Sequence, residues 1–173
     1  MRTHALIYLN GQRLEIGPRH AKMMLADYLR YVAGLTGTKI VCAEGDCGAC
    51  TVLRAFAGFG GKAPSFLPIN ACIVTVAQMD GSSLVTVDAL AEGEKLAPVQ
   101  ASMMNCHGSQ CGFCTPGFVM ALAGLVEKKL EAGEDAISAR DAKNALTGNL
   151  CRCTGYQPIV DAATSLRLSD CES

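Results

Sequence analysis

Apolar and polar residues alternate through ALIYLN at positions 5–10, the pattern breaks at Asn10-Gly11, and RLEI follows at once. Two short alternating runs around an Asn-Gly pair signal a hairpin, because both turn residues tolerate the left-handed backbone that a two-residue connection demands. Residues 1 to 16 are therefore expected to form a β-hairpin. The period then changes. AKMMLADYLRYVAGL sets Met23, Met24, Leu29 and Val32 among good helix formers and stops at Gly34, which predicts one amphipathic helix. TVLRAF, the glycine-rich turn GFGG at 58–61, NACIVTVAQM, the turn Asp80-Gly81 and LVTV are short and β-branched, and they read as strands with their turns.

From about residue 89 these runs give way to helical patterns. VQASMMNCH, PGFVMALAGLVEKKLEAG ending near Gly133, SARDAKNAL and QPIVDAATSLRL make four candidates. The chain thus divides into a small sheet with one helix over 1–88 and a compact helical unit over 89–173, an α+β protein with two cores. No internal repeat of fixed period is present.

Half of the 173 residues are apolar and 18% are charged, which excludes the disordered and low-complexity classes. A net charge of −1 offers no broad attraction to nucleic acid or to an anionic membrane, so protein partners are expected instead. No run of 18 apolar residues occurs, so no membrane span is expected, and the N-terminus lacks a signal-peptide core, its short apolar stretch ending at Asn10. The expected compartment is the cytoplasm, where a chain with 10 cysteines is better suited to binding metal than to forming disulfides.

Eight of those cysteines form two quartets of different spacing. Cys42, Cys47, Cys50 and Cys72 follow a C-x4-C-x2-C pattern with a distant fourth member, the plant-type two-iron spacing. Gly45, Gly48, Ala43 and Ala49 lie among them, which suits a backbone wrapped closely around an inorganic core with its amides aimed at anionic sulfurs. Cys111, Cys114, Cys151 and Cys153 supply a C-x-x-C and a C-x-C that only folding can join. Thr115 is the expected N-cap of the helix opening at Pro116, and Thr154 with Gln157 has capping-box spacing, so two helix N-termini would converge on the second quartet. An extended C-x-C would point Cys151 and Cys153 the same way, allowing both to ligate one iron. Zinc is the rival for either quartet, and a redox dithiol the rival for the C-x-x-C. His107 is read as a neighbour of the site, since a Rieske centre needs two histidines. Cys106 is read as a buried helix residue and Cys171 as a tail thiol.

LTGTKIVCAEGDCGACTV, LPINACI, HGSQCGFCTPGFVMAL and LTGNLCRCTGYQPI resemble, in order, the iron-sulfur subunit or N-terminal iron-sulfur region of the molybdenum hydroxylases, the xanthine dehydrogenase and aldehyde oxidoreductase family. The wording is most similar to bacterial xanthine dehydrogenase small subunits. The resemblance implies a ferredoxin-like β-grasp domain followed by a four-helix-bundle domain, each holding one 2Fe-2S cluster. It also implies an electron route from a molybdopterin centre on a large subunit, through the helical-domain cluster and then the ferredoxin-domain cluster, to FAD on a medium subunit. Gln110 and Cys153 occupy the positions that approach the pterin in that family. Val41 stands where the family usually has glycine, and APVQ where HPVQ is common. The chain ends soon after its last helical pattern, which favours flavin and molybdenum on partner chains of a hetero-oligomer. The rivals to this reading are a freestanding two-cluster ferredoxin, against which the weak net charge argues, and a zinc-stabilised interaction module.

Overall fold

The computed structural model describes residues 2–56 and 65–171, and the expected GFGG turn falls outside them. β1 (Ala5–Leu9) and β2 (Gln12–Ile16) pair antiparallel with Leu9 opposite Gln12. Asn10 and Gly11 take φ angles of 51° and 80°, the left-handed pair that the hairpin reading requires.

The helix expected next is two helices. α1 (Pro18–Ala21) and α2 (Leu25–Tyr31) are separated by an extended Met24 that bridges to Thr75. The Leu25 N–H donates to the Val74 carbonyl, and the Val76 N–H donates to the Met23 carbonyl. Pairing with this distant segment overrides the helix propensity of the two methionines, and Met24 and Val32 face outward while Leu25, Ala26, Tyr28 and Leu29 are buried.

β3 (Thr51–Phe56), β4 (Leu67–Asn70) and β5 (Ser82–Val85) complete a five-stranded sheet in the order β2-β1-β5-β3-β4. β1 and β5 run parallel and the other neighbours antiparallel. The strand expected over NACIVTVAQM lies earlier, because pairing stops at Asn70 and residues 76–79 wind into a 3-10 turn. Gln78 secures that turn by accepting the Thr75 N–H at 2.7 Å.

Successive residues of β3 face opposite sides of the sheet. Val52 enters a core beneath α2 with Ile7, Leu25, Leu29, Met79 and Leu84. Leu53 turns the other way and meets Met120 and Ala123. Those two residues lie on α4 (Thr115–Glu131), which with α3 (Pro98–Asn105), α5 (Ala139–Ala145) and α6 (Gln157–Ser165) surrounds a second core of Phe118, Leu122, Val126, Ala142, Ile159 and Ala163. α4 is buried from Gly117 to Val126 because it serves both the sheet and the other helices. At its end Lys129 is ion-paired with Glu134 at 2.6 Å and with Asp141 at 2.8 Å. A mixed sheet with segregated helices is an α+β architecture. Among the described residues no helix is long and apolar enough to cross a membrane.

Candidate metal centres

The chain leaves α2 through Gly34 and loops from Thr38 to Cys50 before entering β3. Ala43, Gly45 and Gly48 have φ angles of 58°, 84° and 67°, and this alternation turns successive amides inward. The Cys47 N–H donates to Cys42 Sγ at 3.4 Å. Amides of Glu44, Cys47 and Asp46 together hold the Cys42 thiol down at about 6. Burial pushes Cys47 up, and its sulfur shares a hydrogen bond with that of Cys42. Cys50 and Cys72 face each other in the interior, where burial drives Cys50 to about 12. Asn70 ties β4 to this loop by donating to the Gly45 carbonyl at 2.6 Å. Val41 takes no left-handed angle and projects into solvent, so the loop needs no glycine there.

In the second quartet Cys153 Sγ lies 3.6 Å from Cys111 Sγ, well beyond the roughly 2.05 Å of a disulfide. Cys114 faces Cys151, and burial followed by that contact raises Cys114 to about 12. Burial opposes ionisation of Cys151 as well, but the Thr154 hydroxyl and the amides of Thr154 and Cys153 bring its thiol below the ordinary value. Contact with Cys111 raises Cys153. The pairs therefore cross between segments. The backbone at 151–153 is bent, not extended, and this turns Cys151 and Cys153 to different partners.

Both expected caps are displaced. Cys114 is the N-cap of α4, with Thr115 donating to Ser109 Oγ at 2.8 Å. Tyr156 is the N-cap of α6, at a φ of 69° beside Gly155 at 68°, so Gln157 falls inside the helix and bonds Asp161 instead. This pair of left-handed residues aims the Thr154 hydroxyl at Cys151 Sγ, 3.2 Å away.

Each quartet thus has an outer and an inner pair. Cys42 and Cys47 are half-buried, Cys111 and Cys153 exposed, and Cys50, Cys72 and Cys151 buried. Gln110, also exposed, adjoins the outer pair of the second quartet. Four thiols this close cannot all ionise unless a cation offsets their repulsion, so the donor sets suit a metal. Among the described residues no three His, Cys, Asp or Glu side chains close on a point as a single-ion site would require. Cys106, at the end of α3, rests 3.7 Å from Ser165 Oγ, and Cys171 lies partly buried in a terminal 3-10 turn, so both stand apart from the quartets. His107 is exposed with a φ of 55°, and Ala97 caps α3 with its N–H held by Gln100 at 2.9 Å.

A contact that residue spacing does not reveal joins the two loops. The Leu150 N–H donates to the Cys47 carbonyl at 3.0 Å, and the Asn149 side-chain amide donates to the Gly48 carbonyl at 3.0 Å. Side chains are excluded here: a Cβ on Gly117 would run into the Gly48 carbonyl, and one on Gly48 into the Gly148 carbonyl.

Residues 86–164, which include the second quartet and exclude the first, match the family described as the 2Fe-2S binding domain. Xanthine dehydrogenase 1 of Arabidopsis thaliana is 43% identical over 169 residues, 97% of this chain. The solved structure of quinoline 2-oxidoreductase from Pseudomonas putida 86 superposes with a TM-score of 0.78 at 38% identity, covering 96% of this chain and 93% of that one. The chain belongs to the iron-sulfur component of the molybdenum hydroxylase family. Aldehyde oxidoreductase from Desulfovibrio gigas agrees at a TM-score of 0.78 and 33% identity, this chain covering 16% of its length. The chain spans about 12% of the curated xanthine dehydrogenase it matches. The chain thus matches the iron-sulfur part of these longer relatives.

Proposed function

We propose that this chain carries two 2Fe-2S clusters and relays electrons for a xanthine dehydrogenase-like molybdenum hydroxylase, from a molybdopterin centre toward FAD. Residues 1–88 make the ferredoxin-like β-grasp unit holding one cluster on Cys42, Cys47, Cys50 and Cys72. Residues 89–173 make the four-helix-bundle unit holding the other on Cys111, Cys114, Cys151 and Cys153. The observation that carries the reading is the arrangement of each quartet as two facing pairs of sulfurs. Two irons need two pairs of thiolates, whereas one zinc needs four sulfurs around a single point. Such a cluster supplies one-electron transfer when bound.

The residues around the sulfurs do the rest. Loop amides compensate the thiolates, and the cysteine loops meet at Leu150 and Cys47, which supports passage of electrons between them. Gln110 and Cys153 lie on an exposed edge, as contact with a pterin held by a large subunit requires. FAD would lie on a medium subunit, in a cytoplasmic hetero-oligomer. Near-complete coverage of the quinoline 2-oxidoreductase chain supports a separate iron-sulfur subunit, while the 12% share of xanthine dehydrogenase 1 shows the same unit inside a longer chain.

Iron and acid-labile sulfide analysis of the natively purified protein, with mass spectrometry of whatever copurifies, tests this. About four irons per chain are expected, together with partners large enough to hold molybdopterin and FAD. Two irons would remove one cluster, colourless zinc protein would favour an interaction module, and elution of the chain alone would favour a freestanding ferredoxin.

A further inference from the structure

The hydrogen bonds around the second quartet include a hydroxyl donor, a kind not found at the first among the described residues. Among those residues, the Cys42 sulfur is met by backbone amides and by the Cys47 thiol, with no hydroxyl donor. Cys151 Sγ also receives the Thr154 hydroxyl at 3.2 Å. That hydroxyl cannot turn freely, because its oxygen accepts the Tyr156 N–H at 3.2 Å. With one lone pair so occupied, the O–H is left aimed at the sulfur.

Tyr156 holds the arrangement in turn. A left-handed φ of 69° on an aromatic residue persists only where contacts over-determine it. Its hydroxyl accepts the Cys151 N–H at 3.0 Å, and its ring meets Phe118 edge-on with centroids 6.2 Å apart. Phe118 is fully buried, four residues after Cys114, and its N–H donates to the Cys114 carbonyl at 3.2 Å. The turn from 151 to 156 is therefore fixed against the segment bearing the other inner sulfur.

We infer that Thr154 is a tuning residue of the second cluster, its hydroxyl stabilising the reduced state through Cys151 Sγ and setting that cluster's reduction potential above what the backbone alone would give. The inference rests on the reading of Cys151 as a cluster ligand. Reduction adds an electron to the cluster and negative charge to its sulfurs, so a donor aimed at a ligand sulfur favours the reduced form. No proton leaves Thr154 in this role.

The test is an EPR-monitored redox titration of the purified holoenzyme complex carrying Thr154→Val or Thr154→Ser, beside the unaltered complex. The second cluster's signal is identified as the one that Cys151→Ala removes. In Thr154→Val its midpoint moves to lower potential while the other cluster's stays in place, and Thr154→Ser, which keeps the hydroxyl, titrates like the unaltered protein. Iron content near four per chain with two signals keeps the ligand assignment standing, so an unmoved midpoint then overturns the tuning role alone. Equal shifts of both clusters, or a serine variant that behaves like the valine one, also overturn it. Should Thr154→Val shed iron, Thr154→Ala is titrated in its place under the same expectations, and loss of the second cluster from the serine variant as well would end the proposal. A single signal in the unaltered complex would instead remove the assignment on which the inference stands.

Discussion

The amide of Leu150 donates to the carbonyl of Cys47 across 3.0 Å, so a residue adjoining one cysteine of the second quartet touches a cysteine of the first. Neighbouring Asn149 is 5% exposed and gives its side-chain amide to Gly48 and, at 3.4 Å, to Thr51 Oγ1. Asn149→Ala is expected to cost about 1–2 kcal/mol through these bonds. Gly117→Ala forces a methyl against the Gly48 carbonyl and should cost about 1–3 kcal/mol. Gly148→Ala is the control, since its Cβ would meet nothing within 4 Å. Thermal melts followed by visible absorption should rank the three in that sense, and a Gly148→Ala protein as unstable as Gly117→Ala would contradict the contact.

Removing one thiol from either quartet should cost one cluster and spare the other. Cys50→Ala and Cys114→Ala are each expected to retain about two irons, with complementary EPR signals lost. Cys106→Ser should keep all of its iron, because that sulfur rests beside Ser165 and away from both sites. Iron loss from Cys106→Ser would mean that the quartets are wrongly assigned.

Asn10 ties the hairpin to the residue that follows β5, the strand beside β1. Its Oδ1 accepts the Thr86 N–H at 2.9 Å, its Nδ2 donates to Thr86 Oγ1 at 3.0 Å, and its φ is 51°. Asn10→Ala loses both bonds and puts a less tolerant residue at a left-handed position, for a cost of about 2–3 kcal/mol. Asn10→Asp keeps the acceptor and should lose less. Urea titrations of the two variants give the comparison directly.

Lys129, Asp141 and Glu134 give the helical half a pH dependence. The Lys129 ammonium holds the Asp141 carboxyl below its usual range, with help from Ser138, and Asp141 followed by Glu134 holds Lys129 above its own. A depressed carboxylate stabilises fully above its unfolded value of about 3.9, and that contribution is lost as pH falls through the folded value. The raised lysine stabilises fully below its unfolded value of about 10.4 and is lost as pH rises through the folded one. The urea midpoint of the unaltered protein minus that of Asp141→Asn should therefore be flat from about pH 5 to pH 9 and shrink below about pH 4. A difference that grows on acidification would contradict the sign.

The hairpin and the helices beyond residue 97 were legible because each rests on local chemistry, an Asn-Gly turn and a 3.6-residue period, while cysteine spacing marked out the two candidate quartets. What escaped was set by distant partners. Met23 and Met24 have the propensity to continue a helix, yet Thr75 and Val74 claim that backbone. NACIVTVAQM is rich in strand formers, but no strand pairing extends past Asn70 on β4. Thr154 and Gln157 have capping-box spacing, and two consecutive left-handed residues take the threonine to a sulfur instead. Asn149 carried no signal beyond its place two residues before Cys151, since its partner lies 101 residues away.

Leu53 sits beneath Met120 and Ala123 although it belongs to the sheet. Cutting the chain at residue 88 would uncover it and would strip the Cys47 carbonyl of the Leu150 amide that now meets it. Neither fragment would then behave as a well-mannered module on its own, and limited proteolysis of the intact protein should leave its two halves travelling together through a sizing column.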